Sequence, residues 1–295
     1  MTFPLHADAI DTGPINSGPR RRRWVGQFFG NRMAIVGVAL LALLGMIALV
    51  GPVLVTDPNQ QDVQARFLKP SREHWMGTDE LGRDLLSRFV SGARISIASA
   101  FVAVGVGLSL GTMIGLTAGY LEGRLGLGLM AFIDLLLAIP AILLAITMAA
   151  RLGPGLTSAM LAAGLVGLPA YARLARGSTL MIKRKEYVDG ARVVGLSNAS
   201  IMRRHILPNI VTPLSVQATI GVGNAILLVS ALGFLGLGAQ PPEAEWGRML
   251  SDGQRYILTA PYIGIFPGLG IALTVIGFNL AGDGLRDALD PYARR

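Results

Sequence analysis

Residues 186–209 read EYVDGARVVGLSNASIMRRHILPN, a polar stretch with long apolar segments on both sides. Its local signals predict two short helices joined by a turn. Gly195 is well placed to end the first helix, over 184–194, in the left-handed conformation, and Ser197 can cap the second helix. Pro208 marks the far limit of the second helix for regular hydrogen bonding, because proline has no N–H to donate. The stretch is therefore expected to form a compact helical unit between hydrophobic segments.

The apolar and charged residues of this unit are expected to lie on different faces. Val188, Ala191 and Val194 are three residues apart, so they share one side of the first helix. Cations flank the unit at 183–185 and at 203–204. One interpretation is an interfacial loop whose arginines hold the membrane topology. The alternative is an element that docks on another protein.

The composition is typical of a polytopic membrane protein. Of the 295 residues 52% are apolar and 15% are charged, whereas a soluble domain has about 25% charged residues. The 38 glycines suit closely packed membrane helices. The chain has no cysteine, which excludes disulfides and thiolate sites, and its three histidines lie far apart in the sequence. The net charge of +8 comes in short runs between apolar segments, which fits membrane topology and not nucleic-acid binding.

Several segments are long and apolar enough to cross a membrane as helices. We therefore predict an all-α, polytopic membrane protein with six transmembrane helices. The fourth segment is short and rich in glycine, and the fifth is long enough to begin with an interfacial turn. The predicted spans are 33–55, 95–119, 127–150, 155–172, 207–237 and 261–281.

Lysine and arginine are unevenly distributed among the segments between these spans. They are more frequent in the segments on the same side as the N-terminus, so the positive-inside rule predicts that both termini are cytoplasmic. We expect a polar cytoplasmic tail over 1–32, which does not resemble a cleaved signal peptide. A first helix with an external loop follows over 33–92, and a five-helix core over 93–295. The longest cytoplasmic loop, at about 173–206, then contains most of the two-helix unit.

The spacing within the opening stretch resembles a known signature. Asp189-Gly190-Ala191, three residues, Gly195, nine residues and then His205-Ile206-Leu207-Pro208 is similar to the "EAA" signature of the permease subunits of ABC importers. Aspartate, glycine and histidine stand here where that signature has glutamate, alanine and isoleucine. The forms "EYV", "AR" and "RHILPN" are similar to the variant of the dipeptide/oligopeptide/nickel branch.

The resemblance implies that this loop is the coupling helix, which docks in a groove on an ATPase subunit. A short amphipathic element with a charged rim suits binding in a groove. The residues that the resemblance assigns to coupling are Glu186, Asp189, Gly190, Ala191, Arg192, Gly195, Leu196, Ser197, His205, Leu207 and Pro208.

A second resemblance to the same branch lies in the external loop. Residues 74–96 read HWMGTDELGRDLLSRFVSGARIS. Thr78 or Asp79 can cap an amphipathic helix that lies on the membrane before the second span. The apolar face of that helix would contain Leu81, Leu85, Leu86 and Phe89. A structural collar is one interpretation of its charges. The other is that they organise the surface where a binding protein docks, and the residues concerned are Asp79, Arg83, Asp84 and Arg88.

Residues 230–250, SALGFLGLGAQPPEAEWGRML, are also similar to that branch. Pro241-Pro242 forbid a helix at their position. Trp246 and Met249 are then expected near the membrane interface, where aromatic side chains act as anchors. An anchored re-entrant loop and a contact with the binding protein or an outer gate both remain open.

Asp134 is the one acid well within a predicted span, so it is a candidate functional residue. An ion pair with Arg124 or Arg173 is our preferred explanation, and a proton relay is the alternative. Pro140 is expected to kink the same helix. In the second span a series of small residues predicts close helix packing. The series consists of Gly105, Gly107, Gly111 and Gly115.

The resemblance implies a type I permease fold in the inner membrane of a bacterium. It implies a heterodimer with a paralogous permease, two ATP-binding subunits that hold ATP and magnesium, and an extracytoplasmic substrate-binding protein. The chain itself has no phosphate-binding GxxxxGK[ST] motif and no catalytic motif, so we expect no cofactor and no enzyme activity. Peptides are the expected substrate, with nickel chelates, opines or sugars as alternatives. An ion-coupled transporter that uses Asp134, or an intramembrane enzyme, would be rivals from other classes.

Overall fold

A computed structural model describes residues 26–289, and within this range the chain is helical apart from loops and one isolated bridge between Thr78 and Asp84. The predicted tail over 1–32 falls largely outside the described residues. The longer helices are α1 (Arg32–Leu54), α2 (Leu85–Leu121), α3 (Gly123–Leu137), α4 (Ala141–Leu152), α5 (Leu156–Lys183), α6 (Glu186–Val193), α7 (Asn198–Ile201), α8 (Leu207–Phe234), α9 (Trp246–Gly253) and α10 (Tyr262–Leu289). A π-helical turn, Met202–Ile206, joins α7 to α8.

The helices α2 and α5 run parallel to each other along a shared seam. Gly107 lies against Gly164, and Gly115 lies against Ala172 farther along the same two helices. The chain must therefore return to the start of α5 between residues 121 and 156. Gly155 N donates to the carbonyl of Leu237, 3.2 Å away, which places it at the end of the bundle opposite Leu121.

That return is made by α3 and α4 together. The two helices meet at an angle of 94°, and either one alone is short for a membrane span. The predicted continuous span over 127–150 is therefore broken, and Pro140 stands directly before α4, so the predicted kink is confirmed. With this bent pair, the described residues contain up to six helical passes that could cross a membrane.

Both ends of the described chain lie at one end of the bundle. α1 packs antiparallel to α10, with Gly37 against Ala281, and the amide of Asn31 donates to a carboxylate oxygen of Asp287 at 3.3 Å. The same end carries α6 and α7, because Tyr120 at the end of α2 contacts Asn198, the first residue of α7. We call this the α6 end, and the opposite end, with the loops around α9, the α9 end.

The seam between α2 and α5 depends on residues that have no side chain. A Cβ atom at Gly107 would lie 2.6 Å from the carbonyl oxygen of Gly164, and one at Gly111 would lie 2.6 Å from that of Leu168. These positions confirm the predicted close packing. Gly105 is different, because no atom of another element lies within 4 Å of its Cβ position. Its inclusion in the packing series is therefore wrong.

The start of α2 corrects the predicted surface helix. The helix begins at Leu85 and continues without a break to Leu121, and its cap is Asp84, whose Oδ2 accepts from the Ser87 N–H at 2.8 Å. Before it the chain turns at Gly82, with a φ of 74°, against the carbonyl of Asp62. This contact between distant residues holds Leu81 outside the helix, so Thr78 and Asp79 are not its caps.

We predict that Gly111→Leu weakens the bundle by about 1–3 kcal/mol, because the added side chain must separate two helices that touch through their backbones. Gly105→Leu is the matched control on the same helix and is expected to leave stability nearly unchanged. Thermal unfolding of the two variants in detergent checks this. Equal losses in both variants would contradict the packing described for the seam.

Candidate functional site

Residues 184–206 form a two-helix loop at the α6 end, largely as the sequence predicts. The first helix, α6, ends in a Schellman motif: Gly195 N donates to the carbonyl of Arg192 at 2.9 Å, and Leu196 N donates to that of Ala191 at 3.1 Å. Gly195 has a φ of 84°, so its predicted left-handed conformation is confirmed. No atom lies within 4 Å of its Cβ position. The need for glycine there is therefore conformational and not a matter of space.

The second half of the two-helix loop begins at Ser197, whose hydroxyl accepts from the Ser200 N–H at 3.4 Å, as predicted. Regular α-helical hydrogen bonding ends before Pro208, as predicted, because the π-helical turn Met202–Ile206 precedes it. The chain passes the proline through the π-helical turn, where Leu207 N donates to the carbonyl of Met202, and continues into α8. The Asn209 side chain donates to the His205 carbonyl at 2.7 Å. A helix can therefore run from the loop into a membrane span without interruption.

The two-helix loop buries one apolar face and exposes another. Val188 and Ala191 are buried, and so are Ile201 and Ile206 in the second half. Val194 is 81% exposed and does not join them. The predicted common face of Val188, Ala191 and Val194 is therefore wrong for Val194. The exposed set, which we call the apolar tip, consists of Tyr187, Val193, Val194 and Leu196.

Charged side chains surround the apolar tip. Arg192 Nη1 donates to Asp189 Oδ1 at 2.7 Å on the surface of α6. Exposed pairs of this kind contribute roughly 0–1 kcal/mol to stability. The pair therefore adds little stability and mainly places two charges beside the apolar tip. Glu186 and Gly190 are exposed beside it.

Tyr120 connects the two-helix loop to the end of α2, and the sequence analysis missed it. Its hydroxyl donates to Asn198 Oδ1 at 3.0 Å, and the cationic groups of Lys183 and Arg192 lie 5.4 and 5.7 Å from its ring centre. Lys183 Nζ also donates to Glu122 at 3.0 Å and thereby lowers the pKa of that carboxyl. The only sequence signal for this contact is an aromatic residue at the polar end of a predicted span.

At the α9 end, the charges singled out before α2 form a buried cluster. Asp79 Oδ2 accepts from Arg83 Nε at 2.6 Å and lies 3.6 Å from Arg88 Nε, and all three side chains are buried. Asp84 Oδ1 lies 3.0 Å from His74 Nδ1. Paired in this way, the buried charges are compensated. They hold the loop before α2 against the bundle and offer almost none of their own surface to a partner.

Trp246 lies inside the protein and not at a membrane interface. It is fully buried, its ring stacks on Phe89 at 5.3 Å between centres, and its Nε1 donates to the Phe89 carbonyl at 3.0 Å. Met249 is buried with it. The prediction of interfacial anchors is therefore wrong, although residues 241–242 are non-helical as predicted.

Glu245 is a fully buried carboxylate that the sequence analysis did not identify. One oxygen accepts from the Gly247 N–H at 2.8 Å, and the other accepts from the Arg248 N–H at 2.9 Å, which caps α9. The hydroxyls of Ser96 in α2 and Ser230 in α8 donate to it at 3.2 and 3.3 Å. Burial raises the pKa of Glu245, and these hydrogen bonds oppose that rise. An acid directly before a short amphipathic run, EWGRML, is the sequence signal for such a cap.

Asp134 pairs with Arg173, one of the two arginines that the sequence analysis proposed. Arg173 Nη2 donates to Asp134 Oδ1 at 2.7 Å and so joins α3 to α5. Both side chains are more than half exposed in the isolated chain. The paired geometry gives no support to a lone carboxylate that relays protons. Within 26–289, no group of three or more histidine, aspartate or glutamate side chains could hold a metal ion.

The chain matches two known families. Residues 111–295 match the family "Binding-protein-dependent transport system inner membrane component", and residues 20–70 match the "N-terminal TM domain of oligopeptide transport permease C". The first match covers α3 to α10, with the two-helix loop, and the second covers α1 and the loop after it.

Curated relatives resemble the chain over most of its length. It is 43% identical to a dipeptide transport system permease of Alkalihalophilus pseudofirmus over 97% of both chains. It is 44% identical to a probable D,D-dipeptide transport system permease of Escherichia coli K12, over 90% of this chain and 89% of the relative. A glutathione transport system permease of Escherichia coli O6:K15:H31 is 48% identical over 75% of this chain and 73% of its own length.

The fold also resembles a solved transporter. An inward-facing methionine ABC transporter chain superposes with a TM-score of 0.56 and 21% sequence identity, over 68% of this chain and 96% of the other. At this identity the likeness concerns the fold alone. The helical bundle over residues 26–289 therefore shares the fold of that transporter chain.

We predict that Glu245→Ala lowers stability by about 2–4 kcal/mol, since it removes the cap of α9 and leaves buried hydroxyls and N–H groups unpaired. Glu243, exposed two residues earlier, provides the control: Glu243→Ala is expected to change stability by less than about 0.5 kcal/mol. Thermal unfolding of both purified variants measures the difference. Glu245→Ala as stable as Glu243→Ala would contradict the assigned role.

Proposed function

We infer the function of this chain from its family: it belongs to the binding-protein-dependent transport system inner membrane components, the permease subunits of ABC importers. It is a multi-pass membrane protein that takes part in ATP-driven uptake, and it is a transport subunit and not an enzyme.

We propose di- or oligopeptides as the transported solute. The support is that relatives 42–48% identical to this chain over the matched residues are transport permeases for a dipeptide, a D,D-dipeptide and glutathione. All three are short chains of amino acids joined by amide bonds. The chain would pair with a second, related permease, and the solute path would lie between the two subunits.

The two-helix loop is the proposed site of coupling to an ATPase subunit. The observation that carries this proposal is the apolar tip, since Val193 and Val194 are 87% and 81% exposed on a polar loop. Exposure of such apolar side chains to water is unfavourable, and their burial in a groove on a partner is favourable. ATP and magnesium would be held by two partner ATPase subunits, at a distance from this chain.

Tyr120 connects the two-helix loop mechanically to the membrane bundle. Because its hydroxyl holds Asn198 and its ring faces Arg192, a shift of the loop would also displace the end of α2. The loop is continuous with α8 through the π-helical turn, and it follows directly on α5. Motion of the ATPase subunits would therefore reach three membrane helices at once.

The α6 end is the proposed cytoplasmic end of the bundle. The cations of the two-helix loop support this orientation by the positive-inside rule, and an ATPase partner requires it. Both termini would then be cytoplasmic, in the inner membrane of a bacterium. At the α9 end, the buried cluster of Asp79, Arg83 and Arg88 would keep the outer surface in shape for an extracytoplasmic binding protein.

We predict that Gly195→Val weakens association with the ATPase subunits about tenfold. A left-handed backbone costs a residue with a Cβ atom roughly 1–2 kcal/mol, so the turn that presents the apolar tip is distorted. Co-purification of the ATPase subunits and ATP-dependent uptake in membrane vesicles measure the effect.

Gly177→Ala serves as the control, in the helix that precedes the two-helix loop. Gly177 lies in α5 with no atom within 4 Å of its Cβ position, and alanine favours a helix, so association is expected to stay within about twofold of the parent. Full association and full uptake in Gly195→Val would sink the coupling proposal.

A further inference from the structure

A cavity lies halfway along the bundle, between α2, α5 and α8. Its volume is about 90 Å³, enough for several waters since one water needs about 10–15 Å³ by this measure. Most of its lining is small and apolar, with residues such as Ala103 and Gly167. Its polar groups are the side chains of Tyr171, Gln217 and Asn224. No residue of this lining carries a charge.

These polar groups are not used to hold the chain together. Among residues 26–289, no hydrogen bond to another protein group engages the Tyr171 hydroxyl or the amides of Gln217 and Asn224, whereas the hydroxyls of Ser215 and Thr219 on the same helix donate to backbone carbonyls. Tyr171 is only 3% exposed, and the absence of a side chain at Gly221 makes room for its hydroxyl. Its hydroxyl therefore lies against α8 at Gly221, and both residues line the cavity.

The position of these groups limits what can face them. Gln217 and Asn224 are seven residues apart on α8, so they lie on one side of a membrane helix. An unpaired amide that faces lipid costs several kcal/mol. This side of α8 must therefore face water, a partner subunit or a polar solute.

A second cavity continues the first towards the α6 end. It has a volume of about 450 Å³, and Thr212, Pro213 and Arg286 line it. Gln217 lines both cavities, so it stands at their junction. The two cavities thus follow α8 in series, from mid-membrane to the end that carries the two-helix loop.

We propose that Tyr171, Gln217 and Asn224 form the solute-contacting wall of this chain in mid-membrane, where they bind the amide backbone of a passing peptide. This rests on the proposed peptide transport. A side-chain amide donates and accepts, so it can replace water at both the N–H and the C=O of a peptide bond. Since the wall carries no charge, it would act on the backbone that all peptides share and leave the choice of side chains to other parts of the transporter.

The chain has no cysteine, so single cysteines can report on this wall without background from the chain itself. The assembled transporter with Gln217→Cys or Asn224→Cys would be treated with a charged, water-soluble thiol reagent, and labelling followed as a mass shift of this subunit. Leu43→Cys is the control, an exposed apolar position on α1 that would face lipid. We expect labelling at 217 and 224, reduced by a transported dipeptide, and none at 43.

Transport gives the second readout. Asn224→Leu removes the amide at nearly constant side-chain length, and Gln217→Leu removes it with a side chain one atom shorter. We expect about fivefold slower dipeptide uptake from an intact complex with unchanged ATPase content. Three results would overturn the proposal. These are no labelling at either position, unchanged uptake in both leucine variants, or loss of the partner permease from the complexes that contain the leucine variants. If the parent complex takes up no peptide at all, the proposed function fails instead, and labelling without protection by peptides would mark that case.

Discussion

The close parallel contact between α2 and α5 is the constraint on which the rest of the bundle depends. Backbone meets backbone at Gly107 and Gly111, so the two helices cannot slide or rotate without a clash. Because they run in the same direction, the chain between them must recross the bundle, and it does so through the bent pair α3–α4. Their C-terminal ends finish side by side, where Tyr120 and Lys183 meet and the two-helix loop begins.

The two ends of the bundle are built in different ways. At the α9 end, buried acids and arginines pair with one another, and Glu245 joins α2, α8 and α9 through four hydrogen bonds. Breaking such a network by removing one member costs several kcal/mol, so this end resists distortion. At the α6 end, the contacts are exposed ion pairs and cation–π contacts of lower energy, around an apolar tip that is open to a partner. That difference suits a subunit that is rigid on one side and driven from the other.

Local chemistry was readable from the sequence, and most contacts between distant residues were not, the Asp134–Arg173 pair being an exception. Gly195 and Ser197 were predicted correctly because a helix end and a helix cap depend on neighbouring residues only. The start of α2 was not, because Gly82 turns against Asp62. The hydrogen-bond partners of Glu245 include Ser96, 149 residues away, and the burial of Trp246 depends on Phe89. Membrane spans were predicted well since apolar length decides them, but their bends and polar facings depend on packing.

The central claim is that this chain contacts an ATPase subunit through the apolar tip of the two-helix loop. The most direct measurement is cross-linking from single cysteines in the otherwise cysteine-free chain, within the assembled transporter. A thiol-linked photoreactive group at Val194→Cys is expected to attach to an ATPase subunit. The same group at Leu258→Cys, 95% exposed at the α9 end, is expected to leave the ATPase unlabelled. An ATPase adduct from position 258, or none from position 194, would contradict the account.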